Sequence, residues 1–316
     1  MKRSICLLAL STIMFSLIGC GQSGNGGGGG TTPVEKNVDV VIISGQSNAV
    51  GCTHEEYLME TVGERYQAFL NGYPEIQIAF DSWTKNAPTG DWNNGPFTWE
   101  IQNHSKNNNF VKVQLGQGNS ISTFGPEIGI AEALHTKYAN KLFLIKLACG
   151  ASNLKNDWTN RDSHMYPILI QYVKDQIQNL VKKGFTPTIR AFCWMQGEGD
   201  SWDGYWQQYQ TNLETFVGNM REDLSQYAGG KQIAFIDAGI SNASDWPKYK
   251  EVNQAKEAFA AESENNIYFS TIEAGLHTNQ EPYPTADTAH YDSESQVQLG
   301  HLFAEHFEPF LTPVEE

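Results

Sequence analysis

The sequence predicts an α/β protein, a three-layer α/β/α sandwich around a five-stranded, mostly parallel sheet. Two observations carry that expectation. Short apolar or β-branched runs alternate with amphipathic stretches of helical length, the rhythm of a parallel sheet covered on both faces. No internal repeat breaks the alternation, and hydrophobic residues make up 40% of the 316, enough for a sizeable core. The elements follow in order. Val38 to Ser44 is rich in β-branched residues and stops at Gly45, so it reads as a buried strand. Residues 52 to 120 show no sustained period and abound in Asn, Gly and aromatics; a loop-rich insertion is expected there, with one short helix and a strand at Ile76 to Phe80. Pro126 opens a helix through Tyr138, and Lys141 to Ala148 is an apolar strand stopped by Cys149-Gly150. Pro167 to Lys183 is helical, with Ile168, Ile170, Val173, Ile177 and Val181 as its apolar face. A strand at Thr188 to Met195 leads to a helix at Tyr205 to Tyr227. A strand at Gln232 to Ala238 leads to a helix at Pro247 to Glu262. Ile267 to Ile272 is the last strand. The closing helix, Ser293 to Phe310, buries Val297, Leu299, Leu302, Phe303 and Phe307.

The first residues read as an address rather than as fold. Lys2 and Arg3 precede a mostly apolar run, Ile5 to Ile18, too short to span a bilayer. Leu17-Ile18-Gly19-Cys20 then resembles the lipobox of bacterial lipoproteins, which implies a signal peptide over residues 1–19, a lipid on Cys20, and a place on the bacterial cell envelope outside the cytoplasm. The glycine run ending at Gly30 has no side chains to bury, so residues 20–37 are expected to be a flexible linker and residues 38–311 the folded domain.

Charge excludes some partners. The formal net charge is −15; removing residues 1–19 deletes Lys2 and Arg3 and no acid, which gives −17. Such a chain repels nucleic acid and anionic lipid, and no block of Lys or Arg offsets it. Contact with a membrane is therefore expected only through the lipid. Cys52, Cys149 and Cys193 belong to the domain, an odd number without close pairs. They form neither a disulfide scaffold nor a zinc motif, and one bridge among them is left open.

Chemistry is expected where the strands end, because open parallel sheets gather their reactive loops at the carboxyl edge. Gly45-Gln46-Ser47-Asn48 follows the first strand, Cys149 to Asn153 the second, and Gln196-Gly197-Glu198 the third. Asp287-Thr288-Ala289-His290 lies in the loop after the last. Serine needs a base to take its proton, and His is the side chain whose pKa suits that task near neutrality. Asp287 can hold the tautomer of His290 and stabilise its charged form. The backbone amides of Ser47 and Gly150 and the side-chain amide of Gln196 can donate to an oxyanion.

The ordered blocks Gly45-Gln46-Ser47-Asn48, Phe124-Gly125-Pro126-Glu127, Trp194-Met195-Gln196-Gly197-Glu198 and Asp287-x-x-His290 resemble the SGNH-hydrolase superfamily. They look like its branch of sialate O-acetylesterases and acetylxylan esterases of carbohydrate esterase family six. The resemblance spans roughly residues 38 to 310. It implies a flavodoxin-like sandwich and a serine esterase that acts on acetylated carbohydrate without metal or organic cofactor. It implies Ser47 as nucleophile, His290 as base, Asp287 as orienting acid, and Gly150 and Gln196 as oxyanion donors. Met195 replaces the His common in the third block, and Cys149 is less typical before Gly150 than a small residue.

Alternatives stay open at this level. Ser47 is also a good helix N-cap. Glu198 competes with Asp287 as the acid or as a substrate contact. Glu127 is explained by the dipole at a helix start. Trp83, Trp92, Trp99, Trp158, Trp202 and Trp206 could stack on sugar faces or simply pack loops. A glycan-binding lipoprotein without chemistry, or an esterase of lipid or small-molecule esters, are the rival functions.

Overall fold

The computed structural model describes residues 36–92, 95–278, 281 and 287–314. The expected leader, Cys20 and nearly all of the linker lie outside the described residues. In chain order the elements are β1 (Lys36–Gly45), α1 (Ser47–Val50), β2 (Thr53–His54), α2 (Leu58–Val62), α3 (Tyr66–Asn71), β3 (Tyr73–Asn86), β4 (Thr98–His104), β5 (Val111–Val113) and β6 (Thr123–Phe124). Then follow α4 (Glu127–Leu134), β7 (Leu142–Gly150), α5 (Met165–Lys182), β8 (Phe185–Met195), α6 (Tyr209–Leu224), β9 (Ala234–Ala238), α7 (Tyr249–Ala260), β10 (Asn266–Phe269) and α8 (Ser293–Phe307).

The α/β class stands, but the sheet is larger than expected. It has eight strands in the order β10-β9-β8-β1-β7-β3-β4, with β5 also pairing β3. Six of them run parallel; β4 and β5 pair antiparallel with β3. The additional strands come from the segment expected to be loop-rich. There β3 runs for 14 residues beside β7, in register from Gln77–Phe143 to Thr84–Gly150. Its second half carries Asp81, Ser82 and Lys85, all buried, which removes the apolar run that marks an interior strand in sequence.

Connection handedness arranges the layers. From β7 the chain crosses β1 to β8 and continues to β9 and β10 in one direction, so right-handed crossovers place α5, α6 and α7 on one face. α4 and α8 pack against each other as the second helical layer. At their crossing, a Cβ on Gly129 would lie 1.9 Å from the Val297 carbonyl oxygen, and one on Gly300 would lie 2.1 Å from that of Pro126. Only glycine permits this approach. The core runs through β1, β7 and β8; every residue of β7 is buried.

The helices start and stop close to expectation, with physical causes for the differences. Tyr205–Gln208 forms a 3₁₀ turn, so α6 begins only at Tyr209. Pro309 cannot continue an α-helix, and α8 gives way to a 3₁₀ turn at Glu308–Phe310. Asp292 caps α8 by accepting the Ser295 N–H at 2.8 Å.

Candidate active site

The strand order reverses at β1, whose neighbours β7 and β8 belong to the two directions of travel. Crevices at such a switch point, beyond the carboxyl ends of the strands, are natural binding sites. A cleft of about 700 Å³ opens there, within the range of roughly 300–1,000 Å³ common for small-molecule sites. Ser47, Gly150 and His290 line it, although they come from three separate stretches of chain.

Local structure at Ser47 follows from Gly45. Its φ is +138°, and a Cβ there would lie 2.0 Å from the Met195 carbonyl oxygen. That close approach lets the Gln46 N–H donate to Met195 O at 2.9 Å, locking the ends of β1 and β8 together. The chain then turns at once into α1, leaving Ser47 partly exposed at the cleft while Asn48, Ala49 and Val50 are buried.

His290 is paired with Asp287. The imidazole Nδ1 lies 2.7 Å from Asp287 Oδ2, and Asp287 Oδ1 accepts the N–H groups of Ala289 and His290 at 2.8 and 3.0 Å. Burial opposes charge on His290, yet the Cys52 thiol and the Asp287 carboxylate beside it raise its pKa well above the ordinary value. Burial likewise opposes charge on Asp287, but the hydrogen bond and charge of His290 hold its pKa down at about 2. Cys52 is only partly buried, lines the cleft and lies beside His290. All three domain cysteines are free thiols.

Two of the residues picked from sequence sit behind the cleft. Glu198 is fully buried; its Oε1 accepts from Asn48 Nδ2 at 2.8 Å, and burial raises its pKa. Asn48 in turn accepts the Tyr291 N–H on its Oδ1 at 3.2 Å, and its carbonyl accepts from Gln296 Nε2 at 3.0 Å. Glu198 therefore steadies a bridge between the Ser47 block and the backbone next to His290, and Asp287 is the acid on the imidazole.

Gln196 is the correction. It is fully buried, and its Nε2 donates to Asp200 Oδ2 at 2.6 Å and to Gln46 Oε1 at 3.2 Å. Its oxygen accepts from the Tyr209 hydroxyl at 3.0 Å. An amide engaged in this way has no N–H left for an oxyanion in the cleft. Gln46, passed over in sequence, is the side chain so presented. Its Oε1 accepts from Gln196 Nε2 and from the Gly197 and Gly199 N–H groups at 3.2, 3.4 and 3.1 Å. Because both backbone groups are donors, the amide oxygen must face them, and the NH₂ end is directed the other way at a residue that lines the cleft.

The frame behind these groups is ionic. Lys146 in β7, fully buried, bonds Glu127 Oε2 at 2.8 Å and the Val50 and Gln117 carbonyls at 3.0 and 2.7 Å. Lys146 thus ties the end of α1 to the sheet, and Glu127, at the start of α4, is its counter-ion. Asp200 accepts the Leu154 and Lys155 N–H groups at 2.7 and 3.1 Å, joining the loops after β7 and β8. Burial raises its pKa to about 6.

Of the six tryptophans left open between sugar stacking and loop packing, Trp92 and Trp202 line the cleft, with about half their surface exposed. Trp246 and Tyr205 complete the aromatic lining. Trp158 is core, its Nε1 donating to Ser152 Oγ at 2.9 Å, and Trp99 stacks on His164 at 4.2 Å.

Comparison with known proteins agrees with this architecture. A family model described as carbohydrate esterase, sialic acid-specific acetylesterase matches residues 37–308. Among solved structures, a protein from Arabidopsis thaliana superposes with a TM-score of 0.57 at 21% identity, over 87% of this chain and 99% of that one. NanS gives 0.57 at 16%, over 87% and 98%. A carbohydrate acetylesterase from Xanthomonas citri gives 0.51 at 12%, over 86% of this chain and 56% of its own. At these identities the likeness is one of fold. No curated protein sequence matches significantly.

Proposed function

We propose that this chain, which belongs to the sialic acid-specific acetylesterase family of carbohydrate esterases, removes O-acetyl groups from glycans by way of an acyl-serine. The observation that carries the reading is the meeting of Ser47 and an Asp287-paired His290 in one aromatic-walled cleft. His290 takes the Ser47 proton as the hydroxyl attacks the ester carbonyl. The backbone amides of Ser47 and Gly150, with the Gln46 side chain in the place first assigned to Gln196, stabilise the oxyanion. The imidazolium, steadied by Asp287, then protonates the departing sugar hydroxyl. Water, deprotonated by the same His290, releases acetate and restores the serine.

Ser47→Ala is expected to abolish release of 4-nitrophenol from its acetate ester, with the circular dichroism spectrum unchanged. Gln46→Ala is expected to lower kcat by about two to three powers of ten. Retained turnover in the Ser47 variant would defeat the nucleophile assignment.

The same proposal places the enzyme on the outside of a bacterial envelope through a lipid on Cys20, on the strength of the basic, apolar and lipobox-like order of residues 2–20. Palmitate labelling in cells tests it: the full chain should incorporate label and a Cys20→Ser chain should not. Equal labelling of both would place the lipid elsewhere.

A further inference from the structure

Asp200 sits in the 3₁₀ turn Glu198–Ser201 that follows β8 and is fully buried. The buried acids Glu127, Asp157 and Asp237 each meet a buried lysine. The donors on Asp200 are amides instead. Its Oδ2 accepts from Gln196 Nε2 and the Leu154 N–H at 2.6 and 2.7 Å, and its Oδ1 accepts the Lys155 N–H at 3.1 Å. Burying a carboxylate is costly unless hydrogen bonds replace its water. An acid held by amides alone fixes directions rather than balancing a charge.

Those bonds lead to both arms of the oxyanion site. Towards Gln46, an ionised carboxylate can only accept, so Gln196 turns its NH₂ to Asp200; its second N–H then meets Gln46 Oε1 at 3.2 Å. The Gly197 and Gly199 N–H groups complete the hold on that oxygen. Towards Gly150, Leu154 and Lys155 open the turn Leu154–Trp158, and the first N–H groups of a helical turn have no carbonyl of their own to pair with. Asp200 takes both from a separate loop. Only Ala151, Ser152 and Asn153 lie between that turn and Gly150. Ala151 has a left-handed φ of 58°, a conformation that persists only where its surroundings enforce it. The two loops also meet closely: a Cβ on Gly199 would lie 2.6 Å from the Ser152 carbonyl oxygen.

We propose that Asp200 is a positioning residue for the oxyanion: this one carboxylate holds the Gln46 side chain, through Gln196, and the Gly150 loop, through the Leu154 and Lys155 N–H groups, in a fixed relation to each other. The inference rests on the reading of the cleft as a serine esterase site. Asp200 touches no substrate. An acid after β8 sets the spacing between a donor after β1 and a donor at the end of β7, so that both converge on one oxygen. A misplacement of about 1 Å at such a site costs about a hundredfold in rate.

The test follows hydrolysis of 4-nitrophenyl acetate by the full chain at pH 8, above the Asp200 pKa of about 6, so that the carboxylate is ionised. Asp200→Leu, similar in shape, removes every acceptor. It is expected to lower kcat and kcat/KM together by about two powers of ten, the mark of an interaction that matters in the transition state. Asp200→Asn keeps one acceptor oxygen and should lose less. Gln196→Met cuts the link to Gln46 but spares the Leu154 and Lys155 bonds. Alone it should cost roughly tenfold, and in a Gln46→Ala chain nothing further, because coupled sites are not additive. Circular dichroism melts establish which variants are folded. A folded Asp200→Leu enzyme with unchanged kcat, or with only KM raised, overturns the positioning role. Where Asp200→Leu does not fold, Gln196→Met decides: equal losses with and without Gln46 overturn the link, and a loss confined to chains that keep Gln46 upholds it. A wild-type chain silent towards 4-nitrophenyl acetate overturns the esterase reading and this one with it; an active wild type with unaffected variants overturns this one alone.

Discussion

At the scale of single residues, the base of the proposed reaction depends on two neighbours. His290 accepts a proton only when uncharged, and the Cys52 thiol and Asp287 raise its pKa above the ordinary 6.5 against the effect of burial. Activity should therefore fall as pH is lowered through a midpoint above that value. Asp287→Asn removes an anion, so the midpoint should move down in pH while the plateau rate drops by about four powers of ten. A pH-rate profile on 4-nitrophenyl acetate reads both effects; an unmoved midpoint would separate Asp287 from the imidazole. For stability the signs differ. The raised His290 pKa contributes stability that is full below its unfolded value and lost as pH rises through the folded one. Asp287, held at about 2, contributes above its ordinary 3.8, and that part is lost as pH falls toward 2. Both residues were legible in sequence because an acid three residues before a His reaches its ring on a short loop. Gln46 and Cys52 were not. Their roles arise from what faces them, and three of the donors that orient Gln46 lie about 150 positions away.

At the scale of elements, glycine at two crossings decides how the site is assembled. Gly45 brings β1 against the end of β8, and Gly129 and Gly300 bring α4 against α8, the helix that follows the His290 loop. A methyl group at Gly300 would meet the Pro126 carbonyl at 2.1 Å, and the helix backbone has no flexible neighbour to yield. Gly300→Ala should destabilise the fold by about 1–3 kcal/mol, the usual cost of overpacking, or more. Urea unfolding followed by tryptophan fluorescence measures it; an unchanged midpoint would show that the helices separate freely. The regular strand–helix alternation after Pro126 was readable because each strand there is mostly apolar, with isolated polar residues such as Lys146 and Asp237 inside the run, and each helix has one apolar stripe. The long β3 was not, since Asp81, Ser82 and Lys85 interrupt its apolar pattern.

At the scale of the molecule, charge is organised by depth. Three lysines are buried with carboxylates: Lys146 with Glu127, Lys256 with Asp237 and Lys85 with Asp157, at 2.8, 2.5 and 3.0 Å. Such pairs return little net stability against a hydrophobic replacement, but breaking one leaves an uncompensated buried charge. They hold loops in register: Lys146 fastens the end of α1, and Asp157 also accepts the Asn153 N–H at 2.8 Å beside the cleft. Over the whole chain 36 Asp and Glu outnumber 21 Lys and Arg, which gives the enzyme a negative field.

The amino-acid sequence alone determined the α/β class and the order of the blocks and singled out Ser47, His290 and Asp287 as candidates, because periodicity and short spacings are properties of neighbours along the chain. Tertiary structure decided the number of strands, the withdrawal of Gln196 into a buried hydrogen-bonded frame with Gln46 oriented against it, and the place of Cys52 beside His290. Those depend on which groups meet across the sheet, and a hydrogen-bond donor is free or engaged only once its distant partners are in place.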